Sequence, residues 1–118
     1  MLIERLRPLL LAHARAARVT TYKELADRLG LEPPHTIHRV TEALEALMAE
    51  DVAAGRPLLA ALCVSRLQHG LPARGFFITA RDLGVFAGSP EGEDAQRFHA
   101  HELERAFAFY RPSGAAPS

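Results

Sequence analysis

Chemistry in this chain would have to come from a short set of side chains: one cysteine, six histidines and a few grouped arginines. A cysteine nucleophile needs a thiolate, with a histidine beside it to take the proton. Cys63 stands in LLAALCVSR, followed by Val64 and Ser65 and alternating with Leu59 and Ala61. Those are the surroundings of a packed, inert thiol. His99 and His101 suggest a metal pair, but two positions along a helix turn them about 200° apart. Glu102 and Glu104 fail as paired carboxylates for the same reason. No glycine-rich phosphate loop, Ser-His-Asp arrangement or cofactor motif stands in order. No catalytic residue, metal or cofactor is therefore assigned. What remains is cationic: His35, His38 and Arg39 in one group, Arg66, His69 and Arg74 in another. Flexible cations so grouped can reach phosphates and base edges of nucleic acid. A solvated helix face and an ordinary polar loop also account for them.

The first group is positioned by residues 19–47, VTTYKELADRLGLEPPHTIHRVTEALEAL. Thr21 and Glu24 form a Thr-x-x-Glu capping box, predicting a helix over 22–29 with Leu25, Ala26 and Leu29 on its apolar face. Gly30 suits the left-handed stop of that helix, and Pro33 and Pro34 cannot extend it. A longer helix fits 36–54, with Ile37, Val40, Leu44 and Leu47 on one side. Two helices at this spacing, the second bearing His35, His38 and Arg39 near its start, predict a helix-turn-helix.

The second group lies in RLQHGLPAR, residues 66–74, where Gly70 and Pro72 are turn residues. Residues 58–65, LLAALCVS, are apolar on both faces and predict a covered strand. Residues 75–79, GFFIT, predict a returning strand, so that strand, basic loop and strand have the parts of a wing. The same pair could be a hairpin that only covers the core. Before this region, residues 2–17 predict an amphipathic first helix, begun late or kinked at Pro8. Val19 and Thr20 suit a short strand. After it, Thr79-Ala-Arg-Asp resembles a further helix start, and residues 91–110 predict a last helix that opens on acids. That helix carries Phe98, Phe107, Phe109 and Tyr110, too many aromatics for one side. Phe107 and Tyr110 are expected in the core and Phe109 outside it, a candidate contact for a partner or a second copy. The whole predicts one α+β, winged-helix-like domain over 1–110, with a flexible tail over 111–118.

Composition narrows the classes. The hydrophobic fraction of 48% and charged fraction of 24% are those of a soluble globular protein. No apolar run reaches the roughly 18 residues needed to cross a bilayer, and no membrane partner is expected. Residues 1–17 are broken by Glu4, Arg5 and Arg7, unlike a secretion signal. A lone cysteine excludes an intramolecular disulfide framework and fits a reducing cytoplasm. The formal net charge of zero weighs against strong nucleic-acid binding. Its distribution weighs the other way: residues 56–81 hold four arginines and no acid, whereas 82–110 hold six acids against two arginines.

The order of VTTYKELADRLG, HTIHRVTEALEAL and an apolar strand resembles the DNA-binding domain of methylated-DNA alkyltransferases and of the catalytically dead alkyltransferase-like proteins. The resemblance covers about residues 19–65. It implies a recognition helix that enters the minor groove, followed by a Pro-Cys-His-Arg strand. Here that strand reads LLAALCVSR, without the motif, and the family's small-residue recognition helix is replaced by His38, Arg39, Thr41 and Glu42. Alkyl transfer is not expected. The segment GRPLLAALCVSRLQHGLPARGFF with its following acidic aromatic helix is also similar to a group of small uncharacterised bacterial and phage proteins, which carries no established activity.

Together these readings predict a DNA-binding helix-turn-helix protein, possible as a regulator, that meets double-stranded DNA with the third helix and the 66–74 loop. The alternative is a non-catalytic protein-interaction module, or a homodimer, built on the acidic aromatic C-terminal segment. An enzyme is the weakest expectation.

Overall fold

A computed structural model describes residues 2–112. The expected tail lies outside the described residues beyond Pro112. Helix α1, Leu2–Arg15, begins ahead of Pro8 and includes it, and buries Leu6, Leu10, His13 and Ala14. Pro8 sits in the solvent-facing side of that helix, so its missing amide is lost where water can serve the freed carbonyl. Strand β1 is only Thr20–Thr21 and leads directly into α2, Tyr22–Arg28. The Thr21 hydroxyl accepts the Glu24 amide at 3.1 Å, as the capping box requires. Glu24 does not reciprocate to the backbone; its carboxylate accepts the Thr20 hydroxyl at 2.6 Å. At the far end of α2, Arg5 donates to the Leu29 carbonyl at 2.6 Å, tying α1 to the turn.

Helix α3, Thr36–Ala53, packs Val40, Leu44, Leu47 and Met48 inward. It ends before Gly55, whose φ of +70° lies in the left-handed region that glycine tolerates. α2 and α3 are thus consecutive helices joined by the segment that carries Pro33 and Pro34. The chain then enters the centre of the core. Residues 58–64 are all buried, as their apolar character predicts. Most of that stretch is a 3-10 turn, Leu59–Leu62, and only Cys63–Val64 is strand, β2. The eight-residue strand expected there is corrected to two. Its backbone is diverted because Asp51 accepts the Leu59 amide at 3.1 Å and Glu102 accepts the Leu58 amide at 3.4 Å. Side chains thus meet donors that a long ladder would have used. β1 and β2 pair in parallel, Thr20 opposite Cys63 and Thr21 opposite Val64.

The second expected strand, residues 75–79, is helical: α4 spans Arg74–Asp82. A strand would send Phe76 and Phe77 to opposite faces. Both instead pack into one aromatic cluster, at 5.0 Å from each other and about 6 Å from Phe98. Ala80, one turn on, completes the buried stripe. Thr79-Ala-Arg-Asp consequently ends a helix where a new one was expected to start. The last helix, α5, Glu93–Phe109, lays Ala95, His99, Glu102 and Ala106 against the core. The architecture is mixed and helix-dominated, with a two-stranded parallel sheet joining the segment ahead of α2 to the end of the 3-10 segment. No helix among the described residues is long and apolar enough to cross a membrane.

A candidate nucleic-acid interface

Tyr22 opens α2, and its hydroxyl accepts the Ala73 amide at 2.9 Å. That bond closes the 65–73 segment onto the start of α2. Between them lies an open groove of about 820 Å³. Tyr22, Lys23 and Asp27 form one wall, Ile37 and Thr41 of α3 the second, and Val64, Ser65, Arg66 and Leu67 the third. Ile37 and Thr41 share a side because they are one turn apart, and the Thr41 hydroxyl is spent on the Ile37 carbonyl at 2.9 Å.

The charges around the groove are unequally committed. Lys23 pairs with Asp27 at 3.3 Å, and Glu24 holds Thr20 and lies 3.9 Å from Arg28. The Thr20 hydroxyl keeps the Glu24 carboxyl below the usual glutamate range. Arg66 has no acidic partner among the described residues and is exposed, so it is the uncommitted cation of the lining. Burial raises the Tyr22 hydroxyl above its ordinary value, so it stays protonated with its own hydrogen available to an acceptor.

Of the six residues expected at the interface, His35, His38, Arg39, Arg66 and His69 are exposed and Arg74 is exposed but paired. His35 precedes α3 in a left-handed conformation, φ 66°, and its side chain makes no cap bond. His38 lies 3.6 Å from Glu42. Arg39 has no side-chain partner among the described residues. It stands two positions from Ile37, about 200° round the helix, so it leaves α3 on the flank away from the groove. The start of α3 and the 66–67 turn meet at the groove through Ile37, Arg66 and Leu67, and Arg39 is outside its lining. Arg74 opens α4 and makes a surface ion pair with Glu91 at 3.2 Å.

Residues the sequence did not single out also shape this region. Tyr22, Ile37 and Thr41 were assigned to helices and not to a binding surface. Leu67 projects from the rim at 88% exposure. The one available signal was an apolar residue between Arg66 and His69 in a polar loop.

Cys63 is fully buried, and burial pushes its thiol up, away from the reactive thiolate. The buried His99 is committed elsewhere, donating Nε2–H to the Ala61 carbonyl at 2.8 Å. Burial lowers the His99 pKa, which keeps the ring neutral. His101, by contrast, is exposed on the other side of α5.

No family model, curated protein or solved structure matches this chain.

Away from the groove, the titratable groups serve the fold. Asp51 is fully buried and accepts Arg7 at 3.0 Å and Arg56 at 3.1 Å on one oxygen, while the other takes the Leu59 amide. Arg7 also reaches Glu50 at 2.8 Å. Glu102 is bound by Arg105 at 2.6 Å and the Leu58 amide. Every oxygen with a buried negative charge has donors, which is what allows such groups inside.

Proposed function

We propose that this protein binds duplex DNA, with the exposed start of α3 and the 66–69 turn as its contact surface. The observation that carries the reading is the pairing of two consecutive helices, α2 and α3, with an adjacent turn that presents the uncommitted Arg66 beside an open groove. Helices in this arrangement present the start of the second helix to a nucleic-acid groove. His35, His38 and Arg39 would contact base edges and phosphates there, and Arg66 and His69 the backbone alongside. Arg74 is left out of the contact set because of Glu91.

In this reading the fold is winged-helix-like with a substituted wing. The 65–71 turn, closed by the Ser65–Leu71 bridge, takes the position of a β-hairpin. The order of tyrosine-led helix, second helix and cysteine strand supports kinship with alkyltransferase-like proteins, and the inaccessible Cys63 supports a non-catalytic member of that group. A reducing cytoplasm suits the lone thiol, and a regulatory role suits a small binding domain. One observation favours the alternative of a protein partner: Phe109 stands 58% exposed beside Tyr110 at the end of α5.

Amide chemical shifts during titration with a random-sequence duplex separate the two. DNA binding moves residues 35–41 and 65–69 together. Shifts confined to 103–110, or none at low salt, would overturn the assignment.

A further inference from the structure

The turn at Arg66–Gln68 is built more firmly than a solvated loop requires. The Ser65 amide donates to the Leu71 carbonyl at 2.8 Å and the Leu71 amide to Gln68 at 3.0 Å. The Ser65 carbonyl accepts both Gln68 and Gly70 amides, at 3.1 and 3.2 Å. The Ser65 hydroxyl accepts the Leu67 amide at 3.2 Å, and Tyr22 anchors the stalk through Ala73. His69 and Gly70 take positive φ, 54° and 83°, to bring the chain back. All of these bonds hold the backbone; none gives the Leu67 side chain a place to pack. It is the most exposed large apolar side chain of those above a third exposed among the described residues, ahead of Phe109 and Ile37. A single exposed leucine is ordinary. One fixed at the apex of a braced turn, between the uncommitted Arg66 and exposed His69, is placed for insertion.

We propose that Leu67 is an apolar wedge that enters the base stack of duplex DNA from the minor groove, with Arg66 and His69 seated on the phosphates either side. The inference rests on the DNA-binding reading and adds the means of deformation. Leucine side chains inserted between base steps partly unstack them and kink the duplex. The cost of unstacking is least at mismatched or flexible steps. A wedge therefore confers preference for deformable DNA without hydrogen bonds to any base. The occupant is nucleic acid by chemistry: an apolar tip between the unpaired Arg66 and the hydrogen-bonding ring of His69 complements bases bordered by phosphates, and residues 56–81 contain no acid.

The test uses the full chain and duplexes carrying 2-aminopurine, whose fluorescence rises on unstacking, in matched and singly mismatched form. Wild type is expected to raise the fluorescence and to favour the mismatched duplex by about tenfold. Leu67→Ala, with an unchanged melting temperature because the side chain has no packing to lose, is expected to bind matched DNA within about threefold and lose both effects. Leu67→Met should retain them. If Leu67→Ala keeps the fluorescence rise and the mismatch preference, the wedge is wrong and DNA binding stands. If neither protein binds either duplex at low salt, the DNA-binding reading fails and the wedge with it. If sedimentation shows wild type self-associating without DNA and Leu67→Ala monomeric, the tip docks on a second copy and the proposal is overturned.

Discussion

Removing the Asp51 carboxylate should destabilise the protein more than any surface substitution, because it is the shared acceptor of three donors at the junction of α1, α3 and the 3-10 segment. Asp51 is 0% exposed and holds Arg7, Arg56 and the Leu59 amide at 3.0–3.1 Å. Breaking a fully buried ion pair by deleting one partner costs about 3–5 kcal/mol. Here the arginine side chains are 23% and 34% exposed, and Arg7 keeps Glu50, so water and Glu50 recover part of the loss. The orphaned Leu59 amide adds about 1–3 kcal/mol for a buried donor left unmade. For Asp51→Ala the balance is about 2–4 kcal/mol, a large share of the 5–15 kcal/mol that holds a domain together. With a urea slope of about 2 kcal/mol/M, the midpoint should fall by about 1–2 M. Asp51→Asn should recover only part, since its amide nitrogen faces arginine donors. Arg56→Ala should cost much less in the Asp51→Ala background than in wild type, because the two changes remove one interaction. A midpoint within 0.2 M of wild type for Asp51→Ala, or full additivity in the cycle, would refute the assignment of stability to this cluster.

Three further outcomes follow from the same structure. A Cβ at Gly88 would lie 2.6 Å from the Asp94 Cβ, so Gly88→Ala must displace the start of α5; overpacking of this kind should cost about 1–3 kcal/mol in chemical denaturation, and a neutral result would show that the 87–92 turn gives way freely. Burial holds the His99 imidazole below its ordinary value, so the unfolded chain binds the extra proton first. Its contribution is complete above pH about 6.5 and is lost as pH falls through that value toward the folded pKa; His99→Gln, whose amide can still donate to Ala61, should flatten the melting temperature between about pH 7 and 5, and an unchanged slope would place the proton uptake elsewhere. Tyr22→Phe removes the acceptor of the Ala73 amide and should cost about 1–3 kcal/mol while loosening residues 65–73 in hydrogen exchange; unchanged protection there would mean the turn is braced without Tyr22.

The helices of residues 2–53 were legible because their information is local. Thr21 capping Glu24, Gly55 at a positive φ and the Leu6–Leu10 and Val40–Leu44–Leu47 stripes all act within a few residues. Residues 58–79 were not legible in the same way. Short apolar runs such as LLAALCV and GFFIT fit a buried strand and a buried helix alike, and the decision was made by Asp51, Glu102 and Phe98 from elsewhere in the chain. Of the candidate site only exposure was legible: His35, His38, Arg39, Arg66, His69 and Arg74 all face solvent, as polar helix and loop positions should, whereas the ion pair of Arg74 with Glu91, 17 positions away, was not. Helical periodicity separated His99 from His101 by about 200°, but which of them faces the core was decided by packing that the local sequence does not state. The groove could not be foreseen, because it exists only once the Tyr22 hydroxyl meets the Ala73 amide across 51 positions.

The most direct measurement is fluorescence anisotropy of a labelled random duplex at several salt concentrations, comparing wild type with Arg39→Ala, Arg66→Ala and Arg74→Ala. If the start of α3 and the 66–69 turn contact DNA, affinity falls steeply with salt, and Arg39→Ala and Arg66→Ala each reduce the log–log slope by about one. Arg74→Ala, whose charge is already matched by Glu91, should leave the slope unchanged. No binding at low salt, or a slope that only Arg74→Ala alters, would contradict the proposed interface.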